Sequence, residues 1–405
     1  YDAYACIWAS DALYYNSGAV THSSAYNYRA NKTAAQLAEK IGEDPTPYRN
    51  EAEKILKAMN ERLWLPDKGH WAEYQDFMGH KRVHESAAVW TIYHAIDSET
   101  ANPFQAYQAT RYVDTAIPHI PVTAHGLKEN GYATIATTNW LPYSWSINNV
   151  AFAEVMHTAL SYFQSSVLDG MYLGDSPGNF GQISFYDAAR GECYRDFGDP
   201  IGVASRVLIQ GLFGILPDAL NQQIILRPGF PDDWDKASVS TPDISYRFTR
   251  KEDTDTYHIT QRFQTPLHPV LHVNARKEKI RSVKVNGVPA TWQSIESAHG
   301  YPLLSIQAEG TSSTTITIEW EGAPLHTLAV QEPVITSNGK LALQIPSGAS
   351  ISQVYDPQSV LANHTVEATA FNAQIKGEPG HHTFFVYTHQ GEMDWWQPVN
   401  IYIEN

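Results

Sequence analysis

The hydrophobic pattern of this chain changes near Pro217, and this change limits the possible folds more than any other feature. After Pro217, apolar and polar residues alternate, as in residues 244–248 and 314–320, which is typical of half-buried β-strands. Before it, apolar residues recur every three or four positions, which indicates helices with one buried face. These stretches are residues 3–15, 23–42, 46–63, 85–97, 103–114, 149–164 and 201–214.

The β-rich part is long enough for two units. We expect an antiparallel β-sandwich over residues 222–323, in which Asn286-Gly287 is a strong signal for a two-residue hairpin turn. Residues 324–405 contain short strands separated by turn residues, which predicts a smaller immunoglobulin-like sandwich.

Three long segments between the helices are rich in aromatic and carboxylate residues. They span residues 64–84, 116–147 and 173–199, and the connections between them are short. In a ring of helical hairpins, alternating long and short connections place all the long ones at one rim. Residues 1–221 are therefore predicted to form the catalytic portion of an (α/α)₆ toroid. Seven or eight helices do not close such a ring, so we expect another segment of the protein to complete it.

Carboxylates on these loops are the candidate catalytic groups. Cleavage of a glycosidic bond needs one carboxyl group to protonate the leaving oxygen and a second to activate water or attack the sugar. Glu73 and Asp76 share the first loop, and either one is a catalyst or a solvated loop acid. Glu154, on a predicted helix, is a ring-interior acid or a partner in a structural pair. Asp196 is a catalytic base or an ion-pair partner of Arg195.

Aromatic and polar side chains near these acids are the candidate substrate contacts. Flat rings suit the aliphatic faces of sugars, although the same rings would serve equally to pack the loops onto the helices. The candidates are Trp71, Tyr74, Trp140, Tyr143, Trp145, Asn148, His22 and Arg195.

Composition excludes several other functions. A net charge of −15 is opposite to what nucleic acid or an acidic membrane surface attracts. No apolar run reaches the length of a membrane span. Neither Cys6 nor Cys193 has a second cysteine or a histidine at ligand spacing, and no nucleotide-binding or nucleophile-elbow motif is present. We therefore expect no metal and no cofactor.

Several motifs resemble a known group of enzymes. Residues 224–234, with Gly211-Leu212-Phe213-Gly214-Ile215 before them, are similar to the junction between toroid and sandwich in bacterial (α/α)₆ glycoside hydrolases. Residues 24–29, 71–76, 148–150 and 194–199 resemble a polysaccharide-utilisation family related to glycoside hydrolase family 142. The resemblance implies a periplasmic or secreted bacterial enzyme, with β-L-arabinofuranosidase as the associated activity.

Together these features predict an exo-acting glycoside hydrolase with an oligosaccharide or polysaccharide substrate. Glu73 is the favoured proton donor, with Asp196 or Glu154 as base or nucleophile. Two alternatives stay open: a glycan phosphorylase, which would need a basic phosphate pocket, and a glycan-binding or scaffold protein without catalysis. Sparse lysine and arginine near the loops speak against the phosphorylase.

Overall fold

The protein is represented by a computed structural model that describes residues 18–87, 89–116, 207–230, 234–325 and 332–405. The chain divides into two compact units, Tyr1–Leu212 and Phe213–Asn405. Among the described helices, none is both long enough and apolar enough to cross a membrane.

The described part of the first unit is mainly helical, as its periodicity predicts. Its helices are α1 (Thr21–Ile41), α2 (Thr46–Arg62), α3 (Val89–Asp97) and α4 (Pro103–Ala116), with a π-helical segment at Val207–Leu212. Helix α1 ends where Gly42 adopts a left-handed conformation (φ 77°) and its N–H reaches the carbonyls of Ala38 and Glu39. Helix α3 begins four residues later than predicted.

Four short strands lie in the first of the three predicted loops, residues 64–84, and a fifth, β1 (Ala19–Val20), precedes helix α1. The loop strands are β2 (Trp64–Leu65), β3 (His70–Trp71), β4 (Tyr74–Gln75) and β5 (Val83–His84). Strands β2 and β3 form a hairpin, while β1, β4 and β5 form a three-stranded sheet in the order β1-β4-β5. This sheet joins the start of α1 to the loop through backbone hydrogen bonds, so these hydrogen bonds hold the loop backbone in place.

The core of this unit joins the helices to the loop. Buried apolar side chains come from all four α-helices and from β3, and include Ala25, Met59, Trp71, Ile92 and Ala109. The toroid stays a prediction, because the four described α-helices are fewer than a closed ring needs and the predicted helix at residues 149–164 lies outside the described residues.

The second unit opens with two facing sheets. Their strands are β6 (Ile215–Asp218), β7 (Gln223–Leu226), β8 (Lys236–Ser240), β9 (Ile244–Lys251), β10 (Thr254–Gln261), β11 (His268–Asn274), β12 (Lys277–Val285), β13 (Val288–Pro289), β14 (Gln293–Ser294), β15 (Leu303–Gln307) and β16 (Ser313–Pro324). The six-stranded sheet has the order β13-β12-β16-β10-β9-β8, and the five-stranded sheet has the order β14-β15-β11-β7-β6. Phe213 and Phe230, which flank the strand pair β6–β7, contact Tyr246 and Phe248 of the opposite sheet.

Two details differ from the predicted antiparallel sandwich at residues 222–323. Strand β6 pairs antiparallel with β7, so the β-structure begins at Ile215 and not at residue 222. Strands β7 and β11 pair in parallel, because the chain crosses to the other sheet between them and returns in the same direction. The predicted hairpin is confirmed, since β12 and β13 pair across Asn286 (φ 53°) and Gly287 (φ 80°).

A smaller pair of sheets follows. Their strands are β17 (Val334–Thr336), β18 (Lys340–Gln344), β19 (Ala349–Tyr355), β20 (Leu361–Val366), β21 (Ala370–Ile375), β22 (Gly380–Gln390) and β23 (Met393–Glu404). The strand orders are β17-β23-β22-β19 and β18-β21-β20. The core between these sheets includes Phe371, Phe384 and Ile401, all completely buried. This smaller pair of sheets belongs to the same compact unit as the first sandwich.

Candidate active site

Glu73 lies between β3 and β4, at the point where the loop meets helix α1. Its backbone N–H donates to the carbonyl of His84 at 2.8 Å, and its carbonyl accepts from the N–H of Thr21 at 3.1 Å. The residue is therefore held on both sides by backbone hydrogen bonds. Its side chain is 8% exposed, which is unusual for a glutamate and requires polar partners.

Thr91 on helix α3 provides one such partner. Its hydroxyl donates to Oε2 of Glu73 at 2.6 Å, and Thr91 itself is completely buried. In a buried position of low dielectric constant, such a hydrogen bond is stronger than in water. This contact therefore restrains the orientation of the Glu73 carboxylate.

His94 follows Thr91 by three positions on α3, so both side chains lie on the same helix face. The ring of His94 is buried and packs at 4.3 Å from the ring of Tyr26, whose hydroxyl is 3.2 Å from Nε2 of His94. Tyr26 is 45% exposed. The contact with Tyr26 therefore connects the buried ring of His94 to the protein surface.

His22, in the first turn of α1, completes what we call the Glu73 cluster: Glu73, His22, Tyr26, Thr91 and His94. Its ring centroid lies 6.2 Å from that of His94. Burial lowers the pKa of His22, and the nearby Glu73 carboxylate partly opposes this effect. Buried Nδ1 of His22 has no hydrogen-bond partner among the described residues. An unsatisfied buried polar atom is costly and is a recurrent property of functional sites.

Asp76 has a separate partner at the edge of the same small sheet. Its Oδ1 lies 3.1 Å from Nε2 of His84, and the His84 ring stacks on Tyr74 at 3.9 Å. Burial, followed by the charges of Asp76 and Glu73, raises the pKa of the Tyr74 hydroxyl. Both carboxylates therefore raise the pKa of Tyr74, but Glu73 is hydrogen-bonded to Thr91 and Asp76 to His84.

Trp71 has a different position from the one its predicted role requires. Its ring has no exposed surface and meets Trp64 edge-on at 4.6 Å, across the β2–β3 hairpin. A ring without an exposed face cannot stack on a sugar. The structure therefore assigns Trp71 to the core of the first unit, where it packs against Trp64.

The structure brings Glu73 and His22 into one cluster and places Tyr74 and Asp76 beside it. Sequence reasoning overlooked Thr91 and His94, although two polar residues three positions apart on a largely apolar helix were a usable signal. Among the described residues, no group of His, Cys, Asp and Glu is arranged to hold a metal ion. The other predicted site residues lie outside the described residues: Glu154, Asp196, Arg195, Asn148, Trp140, Tyr143 and Trp145.

Comparison with known proteins gives distant similarities. No protein-family model matches the chain. No curated protein matches it either. Similar solved structures include α-L-rhamnosidase from Streptomyces avermitilis complexed with L-rhamnose (TM-score 0.41, 13% identity, 73% of this chain and 26% of that one). Another is α-L-rhamnosidase from Dictyoglumus thermophilum (TM-score 0.37, 13% identity, 78% and 35%).

The chain thus spans about a quarter and about a third of the length of these two rhamnosidases. At TM-scores below 0.5 the similarity does not establish a shared arrangement of the whole chain.

Proposed function

We propose that this protein is a glycoside hydrolase in which Glu73 is the proton donor. The observation that carries the proposal is the burial of the Glu73 carboxylate against the Thr91 hydroxyl, beside a histidine whose Nδ1 has no partner among the described residues. A carboxyl group that is held in one orientation and shielded from bulk water is suited to transferring a proton to a leaving oxygen.

The second carboxyl group of the reaction is proposed to be Asp196 or Glu154, as the sequence suggests, with Asp76 as a further candidate. The distance between the two carboxyl groups would determine the stereochemistry. About 5–5.5 Å favours retention through a covalent intermediate, and roughly 6.5–9.5 Å favours inversion with an activated water.

The substrate is proposed from the resemblance of the motifs in residues 24–29 and 71–76. The enzyme would act from a chain end and release a terminal sugar from a plant or host glycan, and β-L-arabinofuranosidase is the first activity to test. The proposed location is the periplasm or the extracellular medium.

The experiment compares Glu73→Gln with Glu85→Gln, a matched loss of one carboxylate at an exposed position that pairs with Lys68. Activity is measured on a glycan panel and on aryl glycosides. Glu73→Gln should lower kcat by about 10²–10⁴-fold on natural glycans, the usual contribution of general acid catalysis. The loss should be much smaller on a dinitrophenyl glycoside, because its leaving group needs no proton. Glu85→Gln should retain activity.

Three results would contradict the proposal. Equal losses on natural and dinitrophenyl substrates would assign Glu73 a structural role. Product formation that requires inorganic phosphate would identify a glycan phosphorylase. Glycan binding without turnover in the wild-type protein would identify a binding protein.

A further inference from the structure

A recess of about 310 Å³ lies in the first sandwich of the second unit, between β9 and β10 of one sheet and β11 of the other. This volume is in the range of small-molecule sites. The recess combines aromatic and cationic side chains. Those that matter here are Phe230, Phe248, Arg250, Arg276 and Tyr301.

A buried carboxylate organises the cationic side of the recess. Asp255 is 1% exposed and accepts three hydrogen bonds of 3.0 Å each, from Nε of Arg250, Nη1 of Arg276 and Nε1 of Trp320. Two guanidinium groups therefore share one carboxylate, which leaves an excess positive charge among these three ionised groups. Such a local excess contrasts with the net charge of −15 of the whole chain.

The hydrogen bonds of Arg276 leave one edge of its guanidinium group available. Its Nη1 donates to Asp255 and, at 3.3 Å, to the carbonyl of Glu252, and Nη2 also donates to Glu252 at 3.3 Å. Nε has no acceptor among the described residues. Nη2 retains a second hydrogen beside it. An adjacent pair of N–H groups matches the two oxygens of a carboxylate.

The aromatic side chains favour a ring-shaped ligand. Phe230 and Phe248 stack at 5.2 Å, Phe230 and Tyr301 are partly exposed, and Arg250 lies over the Phe248 ring at 5.3 Å. Flat apolar rings beside a charged fork complement a ligand with one apolar face and one carboxylate. A pyranose ring that bears a carboxyl group has both.

We propose that this recess binds a uronic acid unit of a glycan, with the carboxylate on Arg276 and the sugar ring against Phe230 and Tyr301. The site belongs to the second unit, whereas the Glu73 cluster belongs to the first. It would give an enzyme of acidic glycans a further point of contact with its substrate.

Calorimetric titration of the whole protein with galacturonic acid, its methyl ester, galactose and acetate tests the proposal. Galacturonic acid should bind, and the methyl ester, which has the same ring without the charge, should bind at least about tenfold more weakly. Arg276→Gln should abolish this difference. Arg281→Gln removes an arginine that is 62% exposed and pairs with Glu321, and it should bind as wild type does.

The controls separate the possible failures. If Arg276→Gln does not fold, Arg276→Lys retains the positive charge without the planar fork and should still lose about tenfold in affinity. Equal binding of galacturonic acid and its methyl ester would overturn the proposal. Equal binding of acetate would reduce the recess to a general anion site and overturn it as well. Glu73→Gln should leave this binding unchanged, so the result is independent of the catalytic proposal.

Discussion

The hydroxyl of Thr91 donates a hydrogen bond of 2.6 Å to the carboxylate of Glu73, and both residues are buried. The donor lies on a helix and the acceptor on a loop 18 positions earlier in the chain. This bond connects α3 to the β3–β4 segment and restrains the carboxyl group that we propose as proton donor.

Thr91→Val should weaken both stability and catalysis. Valine has almost the same shape but leaves the carboxylate without this donor, which should cost about 1–3 kcal/mol in the free energy of unfolding. A misoriented proton donor should also lower kcat more than it changes KM. Thr91→Ser should restore most of the activity, because it retains the hydroxyl.

Thr110→Val is the control for this variant. Thr110 is buried on α4, and its hydroxyl donates to the carbonyl of Ala106 on the same helix. Denaturant unfolding should show a smaller loss for Thr110→Val, because no carboxylate loses a partner. Equal effects of the two valine variants on stability and kcat would contradict a special role for the Thr91–Glu73 bond.

His299 should make the second unit sensitive to acid. Burial lowers its pKa to about 4, and Nδ1 lies 2.6 Å from the carbonyl oxygen of Ser297. Between this value and the ordinary pKa of about 6.5, the unfolded chain binds a proton that the folded protein does not. The stabilisation linked to neutral His299 is therefore fully present above pH 6.5. As the pH falls toward 4, the free energy of unfolding decreases by about 3 kcal/mol.

The measurement is the free energy of unfolding as a function of pH. His299→Gln should flatten its slope between pH 6.5 and pH 4. His389→Gln, which removes an exposed histidine paired with Asp394, should leave that slope in place. An unchanged slope in His299→Gln would show that other groups cause the acid sensitivity.

Gly391 should be required where the β22–β23 turn meets the first sandwich. It has φ 63°, and a Cβ atom there would lie 2.4 Å from the carbonyl oxygen of Glu278. The same carbonyl accepts the N–H of Glu392 at 2.7 Å. Gly391→Ala should therefore displace the turn and destabilise the unit by more than about 2 kcal/mol, since strain and clash add.

Gly287→Ala provides the comparison, because Gly287 has φ 80° but nothing lies within 4 Å of its Cβ position. That variant should show only backbone strain, on the order of 1 kcal/mol. Urea unfolding of both variants gives the difference. If Gly391→Ala lowers the free energy of unfolding no more than Gly287→Ala does, the close approach to Glu278 adds little to the cost of the substitution.

Asp255→Ala should strongly destabilise the first sandwich. It leaves the guanidinium groups of Arg250 and Arg276 and the indole of Trp320 without their shared acceptor, and breaking a buried ion pair costs roughly 3–5 kcal/mol. Asp253→Ala removes an exposed carboxylate that pairs with Lys277, and it should change stability little. Similar thermal unfolding of the two variants would show that the Asp255 network is not a source of stability.

The amino-acid sequence by itself determined the order of helices and strands, because these depend on local periodicity and turn chemistry. Gly42 ends α1 and Asn286-Gly287 turns the β12–β13 hairpin for reasons that involve only neighbouring residues. Alternation does not show where a strand ends. Apolar and polar residues alternate through residues 365–370, but β20 ends at Val366 and β21 begins at Ala370.

Only the tertiary structure decided which side chains meet. His22, Glu73 and His94 are brought together from α1, a loop and α3, and the parallel pairing of β7 with β11 joins strands that are more than forty positions apart. The structure also gives different roles to Glu73 and Trp71, two neighbouring candidates in the sequence. The buried side chain of Glu73 has a polar partner in Thr91, whereas the ring of Trp71 packs in the apolar core and has no exposed face. Such outcomes depend on packing between distant segments, which local patterns do not encode.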